Sequence, residues 1–190
     1  MKPLSTLHWA AVRAARLLLV LAILAGASAR AVAAPPLTRQ DRSFLLTESL
    51  ASRAELQFAE TARLKSQDTR VKELANLLAT DFAALDPQLA ALAQAHGVTV
   101  PAEQRWEARH DAWQLTLVWP EFFDRYYVNL VAEDLLASIR HYKKAARSSA
   151  DPDVQAFALK VLPDLEKRLD RAQHLVPIFG FGRMFGGDAQ

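Results

Sequence analysis

Four long stretches of the chain repeat apolar residues at steps of three and four, the period of a helix that buries one face. The first places Phe44, Glu48, Ala51, Glu55, Phe58 and Ala62 on one stripe, between an N-cap expected at Asp41 and an end near Lys65. The second carries a nearly complete seam of Val71, Ala75, Leu78, Phe82, Leu85, Leu89 and Leu92. Asp68 opens it, and Gly97 follows His96 where a left-handed cap requires glycine. Pro120 introduces a third stretch, with Val128, Val131, Leu135 and Tyr142 on one side. Asp151-Pro152 opens the fourth with a cap and a proline at the first helical position, and that helix is expected to run to about His174.

Two prolines fall inside these helices. An interior proline removes one hydrogen bond and clashes with the carbonyl four residues back, a cost of about 3 kcal/mol or more. Asp86-Pro87 is therefore expected to cap a new segment and kink the second helix, with Pro163 acting similarly in the fourth. Phe122, Phe123, Tyr126 and Tyr127 gather at the start of the third helix and are expected in the core.

No segment has the two-residue period of a strand, so the fold expected is an all-α four-helix bundle. A long connector separates the middle helices and carries a short amphipathic segment, RWEARHDAWQLTLVW. Ser66-x-Asp68-x-x-Val71-x-x-Leu74-Ala75 recurs as Ser149-x-Asp151-x-x-Val154-x-x-Phe157-Ala158. Two related hairpins joined by a crossover make a ferritin-like arrangement, with a short extra helix in the crossover.

The N-terminus changes the picture of where this bundle works. Lys2, Arg13 and Arg16 precede LLLVLAILAGA, an apolar run of 11 residues, too short for the roughly 20 residues that span a bilayer. Ala31-Val32-Ala33 and Ala27-Ser28-Ala29 then offer small residues for cleavage. Residues 1–33 are expected to be a removed signal peptide, 34–40 a linker, 41–176 the bundle and 177–190 a tail. The mature chain has no transmembrane helix, and secretion places it in the periplasm or at the outer membrane. There is no cysteine, hence no disulfide or thiolate metal site. The leader takes four of the 23 basic residues and no acid, leaving 19 against 21, a net of −2. A near-neutral domain has no electrostatic footprint for nucleic acid.

A di-metal bundle needs an inward Glu from two helices and Glu-x-x-His from the other two. This chain has a single such motif, Glu107 to His110, in the connector. No metal, cofactor or catalytic constellation is expected. Two polar features remain on apolar stripes: Glu48 and Glu55 on the first helix, and Arg168 on the fourth as a partner for them. The tail, with Phe179, Phe181, Met184 and Phe185 interleaved with glycines, is a candidate partner-binding segment.

The segments from Asp41 to Ala62, from Phe122 to Tyr142 and from Ser149 to Leu175 resemble the secreted bacterial family catalogued as domain of unknown function 4142. The resemblance rests on Asp41, Phe44-Leu45, Ala54-Glu55, Phe123-Asp124 with Tyr127, and Leu162-Pro163. It implies a ferritin-like bundle, often labelled an outer-membrane protein. It also implies histidines where this chain has Phe82, Leu135 and Arg168. With those three replaced, the expectation is a non-enzymatic structural or interaction module of the cell envelope, its partner an unidentified envelope protein or surface. The alternatives are a metal-dependent oxidoreductase or metal-storage domain, and a carrier with a pocket beside Glu55.

Overall fold

The structure, a computed structural model, describes residues 37–102 and 113–179. Four helices account for most of them: α1, Arg39–Lys65; α2, Thr69–Ala95; α3, Pro120–Ser148; and α4, Pro152–Phe179. A helical turn over 113–117 precedes α3, and no strand occurs among the described residues. The leader, the Glu107–His110 motif, and Phe181, Met184 and Phe185 lie outside the described residues.

Local chemistry explains the ends. The N-cap of α1 is Thr38 rather than Asp41: Thr38 Oγ1 accepts from Asp41 N at 3.1 Å and donates to Asp41 Oδ2 at 2.7 Å. Asp41 is the acid of this reciprocal cap, placed in the first turn where the helix dipole favours negative charge. Asp68 caps α2 as expected, and Gly97 takes φ +65° after it. Asp151 Oδ1 accepts from Asp153 N and Val154 N at 3.0 and 3.1 Å, capping α4. The two Ser-x-Asp turns match: Ser66 Oγ donates to the Asp68 carbonyl, and Ser149 Oγ to that of Asp151.

Neither interior proline starts a new segment. α2 runs unbroken through Pro87 and α4 through Pro163 and Pro177. Each of these prolines, and each residue four places before it, is exposed. The carbonyl that loses its helical partner is therefore left to water, and the bundle packing holds the helix together. Asp86 accepts from Arg53 Nε at 3.2 Å instead of capping. For the same reason α4 passes His174 and includes Phe179.

Cross-helix contacts set the topology. Asp68 N donates to Asp124 Oδ2 at 3.3 Å, so α2 and α3 begin at the same end. His96, after α2, meets Asp151, before α4, at 3.4 Å. The pairs α1–α2 and α3–α4 form antiparallel hairpins, while α1 also packs on α3 and α2 on α4. With α2 and α3 parallel, the crossover returns along a whole helix, about 40 Å for its 27 residues. This is the ferritin-like bundle with one long crossover. Its core holds Leu45, Leu78, Leu89, Val128, Val131, Leu135 and Leu165 with almost no exposure, each burial contributing about 1.5–3 kcal/mol. Phe123 and Tyr127 stack inside it at 6.3 Å. Phe122 is exposed and Tyr126 half-buried, because they occupy the side of α3 next to the crossover turn.

Candidate functional site

Charged side chains are buried on α1 and α4, and part-exposed groups of α2 and α3 pair with them. Glu48 and Glu55, one heptad apart on α1, are both buried, at 2% and 4% exposure. Antiparallel α3 presents a matching heptad, Asp134 and His141. His141 Nδ1 lies 2.7 Å from Glu48 Oε1, and Ser138 also hydrogen-bonds Glu48. Asp134 hydrogen-bonds Glu55. Arg168, the candidate partner for these acids, is buried but turns to α2. Its Nε donates to Asp81 Oδ2 at 2.9 Å, and its guanidinium lies 5.1 Å from the centroid of the Phe82 ring. α1 and α4 are diagonal in the bundle, whereas α2 is the direct neighbour of α4.

The two acids of α1 differ in electrostatics. A buried carboxylate without compensation is expensive. Burial raises the Glu55 carboxyl well above the ordinary carboxylate value, and the Asp134 charge pushes it further. The Glu55 carboxyl is therefore held toward its protonated form beside Asp134. Burial also raises Glu48, but the hydrogen bond and charge of His141 oppose the rise. His141 is raised in turn by that same hydrogen bond. Tyr127 and Tyr142 are raised by burial first, then by Glu55 and Glu48 respectively.

Several buried atoms here make no hydrogen bond: Glu55 Oε2, the hydroxyls of Tyr127 and Tyr142, Ser49 and Ser52 Oγ, and Arg168 Nη1. Buried polar atoms are normally satisfied, so this cluster, which has no partner among the protein's own atoms, sets the polar centre apart from the apolar core around it. Tyr127 and Tyr142 read as aromatic packing in the sequence; their place on the same seam as Asp134 and His141, opposite the two glutamates, was the available signal. Phe82 and Leu135 are core residues, 4% and 1% exposed.

The metal question has a definite chemical form here. Glu55, Asp134 and the Tyr127 hydroxyl are hard oxygen donors. Against them stand Phe82 and Leu135, which ligate nothing, and the permanent positive charge of Arg168. At the bundle's other end, His96, Asp151 and Asp153 bring three potential metal donors within 4.8 Å of one another, a grouping not foreseen from sequence. His96 Nδ1 faces Asp151 Oδ2 at 3.4 Å and Nε2 faces Asp153 Oδ2 at 3.6 Å. With one ring nitrogen directed at each carboxylate, the arrangement clasps the end of α2 to the start of α4.

Two open grooves flank the polar core. One, of about 710 Å³, is lined by Asp81, Pro163, Arg168 and Arg171; the other, of about 550 Å³, by Arg39, Asp41, Phe44 and His141. Glu55 lines neither, so these grooves do not provide the carrier pocket expected beside it.

The fold and this polar centre define a ferritin-like all-α domain with buried acids on α1 and a buried arginine on α4. The family model described as a domain of unknown function, DUF4142, matches residues 26–175, and the chain belongs to that family. A crystal structure of a DUF305 fragment from Deinococcus radiodurans superimposes with a TM-score of 0.65 at 16% identity, covering 76% of this chain and 99% of that one. At that identity the likeness concerns the fold alone. A search of curated protein sequences finds no match.

Proposed function

We propose that this protein is an exported helical-bundle module of the cell envelope with a structural or interaction role and no enzymatic activity. The reading is carried by the Asp81–Arg168–Phe82 arrangement. Where bundle metalloproteins place nitrogen and carboxylate ligands on facing helices, this chain places an aromatic ring, a leucine and a guanidinium. That guanidinium takes up the α2 carboxylate and opposes any second cation nearby. The leader, with its basic start and short apolar run, supports export. None of the described helices is long and apolar enough to cross a membrane.

The test is purification of the native protein from the envelope fraction, followed by intact mass and elemental analysis. Cleavage after Ala33 or Ala29, with no stoichiometric iron, manganese or zinc after dialysis against chelator, is the expected result. Retention of Met1 refutes export. Tightly held metal instead favours the metal-storage or oxidoreductase reading, for which the unsatisfied Glu55 and Tyr127 oxygens are the specific observation.

A further inference from the structure

Where α2 finishes and α4 starts, the fold brings together His96, Asp151 and Asp153, whose donor atoms lie within 4.8 Å of one another. Local capping puts them there. His96 is the C-cap of α2, followed by Gly97 at φ +65°. Asp151 opens α4 with its Oδ1 taken by two backbone N–H groups, which leaves Oδ2 for the His96 ring. The His96 side chain is 11% exposed and that of Asp151 6%, whereas Asp153 reaches solvent at 73%. Nε2 of His96 is buried and makes no hydrogen bond, an uncommon state for a buried nitrogen. It lies 3.6 Å from Asp153 Oδ2, beyond the roughly 2.7–3.2 Å of a hydrogen bond. That separation suits two donors on one tetrahedral ion, since bonds of about 2.0–2.2 Å place them roughly 3.3–3.6 Å apart. Among the described residues neither carboxylate pairs with a lysine or arginine. Their two negative charges outweigh the roughly half positive charge that the start of α4 presents.

We infer that these three residues hold one exchangeable divalent cation of the zinc type. Nε2 of His96 and Oδ2 of Asp153 are its protein ligands, and water fills the remaining positions. Asp151 Oδ2 faces Nδ1 at 3.4 Å. A cation on Nε2 polarises the Nδ1–H and draws it to that oxygen, the carboxylate backing that orients a metal-bound histidine. An imidazole donor selects against calcium and magnesium, which take oxygen ligands, and the two carboxylates balance the charge of the ion. With two protein ligands, one of them exposed, the ion exchanges freely and a chelator removes it. The site is therefore compatible with a protein that is metal-free after such dialysis, and it is separate from Glu55 and Asp134. Its cation fastens the α1–α2 hairpin to the α3–α4 hairpin.

The experiment uses purified protein beginning at Ala34, dialysed against chelator and titrated calorimetrically with zinc chloride. One equivalent of zinc is expected to bind with a dissociation constant on the order of 10 µM, while calcium and magnesium do not bind. His96→Gln and Asp153→Asn should each weaken zinc binding at least about tenfold. His174→Gln, which removes the separate exposed pair with Asp170, should leave it unchanged. Zinc should raise the melting temperature of the parent and of His174→Gln, but not that of the other two variants. Asp153 is exposed, so Asp153→Asn should melt like the parent without zinc, which separates a lost ligand from a lost fold. No zinc binding overturns the inference. So does zinc binding that His96→Gln leaves intact, or that calcium matches.

Discussion

Arg168 lies over the face of Phe82, its guanidinium carbon 5.1 Å from the ring centroid, while the same group donates to Asp81 at 2.9 Å. The ring supplies a cation–π partner and the carboxylate a charge-assisted hydrogen bond, so a buried arginine is tolerated inside a bundle. Both residues stand where the family resemblance implies histidine. In this chain the two are in direct contact.

Phe82→His should lower stability by about 1–3 kcal/mol. The imidazole would leave polar nitrogens in the seam between Leu78 and Leu85, and Arg168 would lose its ring. Thermal melting checks this. An unchanged or raised melting temperature would show that the ring contributes nothing to the core.

Arg168→Ala should be more costly than Asp81→Asn. The arginine side chain is 9% exposed, and its loss removes both packing and the pair; Asp81 is 32% exposed and stays hydrated. A loss of about 1–3 kcal/mol is expected for the first and under about 1 kcal/mol for the second. Chemical denaturation of the two variants decides the order, and equal losses would contradict the asymmetry.

Stability should fall as pH rises from about 5 into the alkaline range. Glu55 and Glu48 have folded values above their ordinary 4.5, and His141 lies above its ordinary 6.5. Each raised group stabilises the fold fully below its unfolded value and loses that contribution as pH climbs through the folded value. Asp68, held down to about 2 by the Arg70 hydrogen bond, has the opposite sign and weakens the fold only in strong acid. Glu55→Gln should remove much of the alkaline slope and make the protein more stable than the parent at pH 8. Denaturation midpoints measured across this range test it; an unaltered slope in the variant would show that Glu55 does not carry the pH dependence.

Asp151→Ala should cost about 1–2 kcal/mol, toward the upper end for a cap. It frees the backbone N–H groups of Asp153 and Val154 and removes the carboxylate facing His96. Thr38→Ala, with a single backbone N–H to satisfy, should cost less. Paired melts of the two variants provide the comparison.

Most of the secondary structure was legible in the linear pattern, because a helix buries residues at a fixed period whatever it packs against. Val71 to Leu89, Val128 to Leu135, the Asp68 and Asp151 caps and the Gly97 terminus all follow from rules acting over a few residues. The departures arose where a neighbouring helix or the solvent overrode those rules. Pro87 and Pro163 are tolerated because they face water, and α1 begins at Thr38 because the hydroxyl, not the carboxylate, reaches the free amide. Partner choice was less legible still. Glu48, Glu55 and Arg168 stood out in the sequence only as candidates for inward polar residues, and their burial needed the packed helices to show it. That Glu48 meets His141, Glu55 meets Asp134, and Arg168 turns to Asp81 depends on which helices are adjacent and which are diagonal. The crossover sets that adjacency. Pairing across it joins residues 79 to 93 positions apart, from Glu55–Asp134 to Glu48–His141, far beyond what a periodic pattern along one helix can encode.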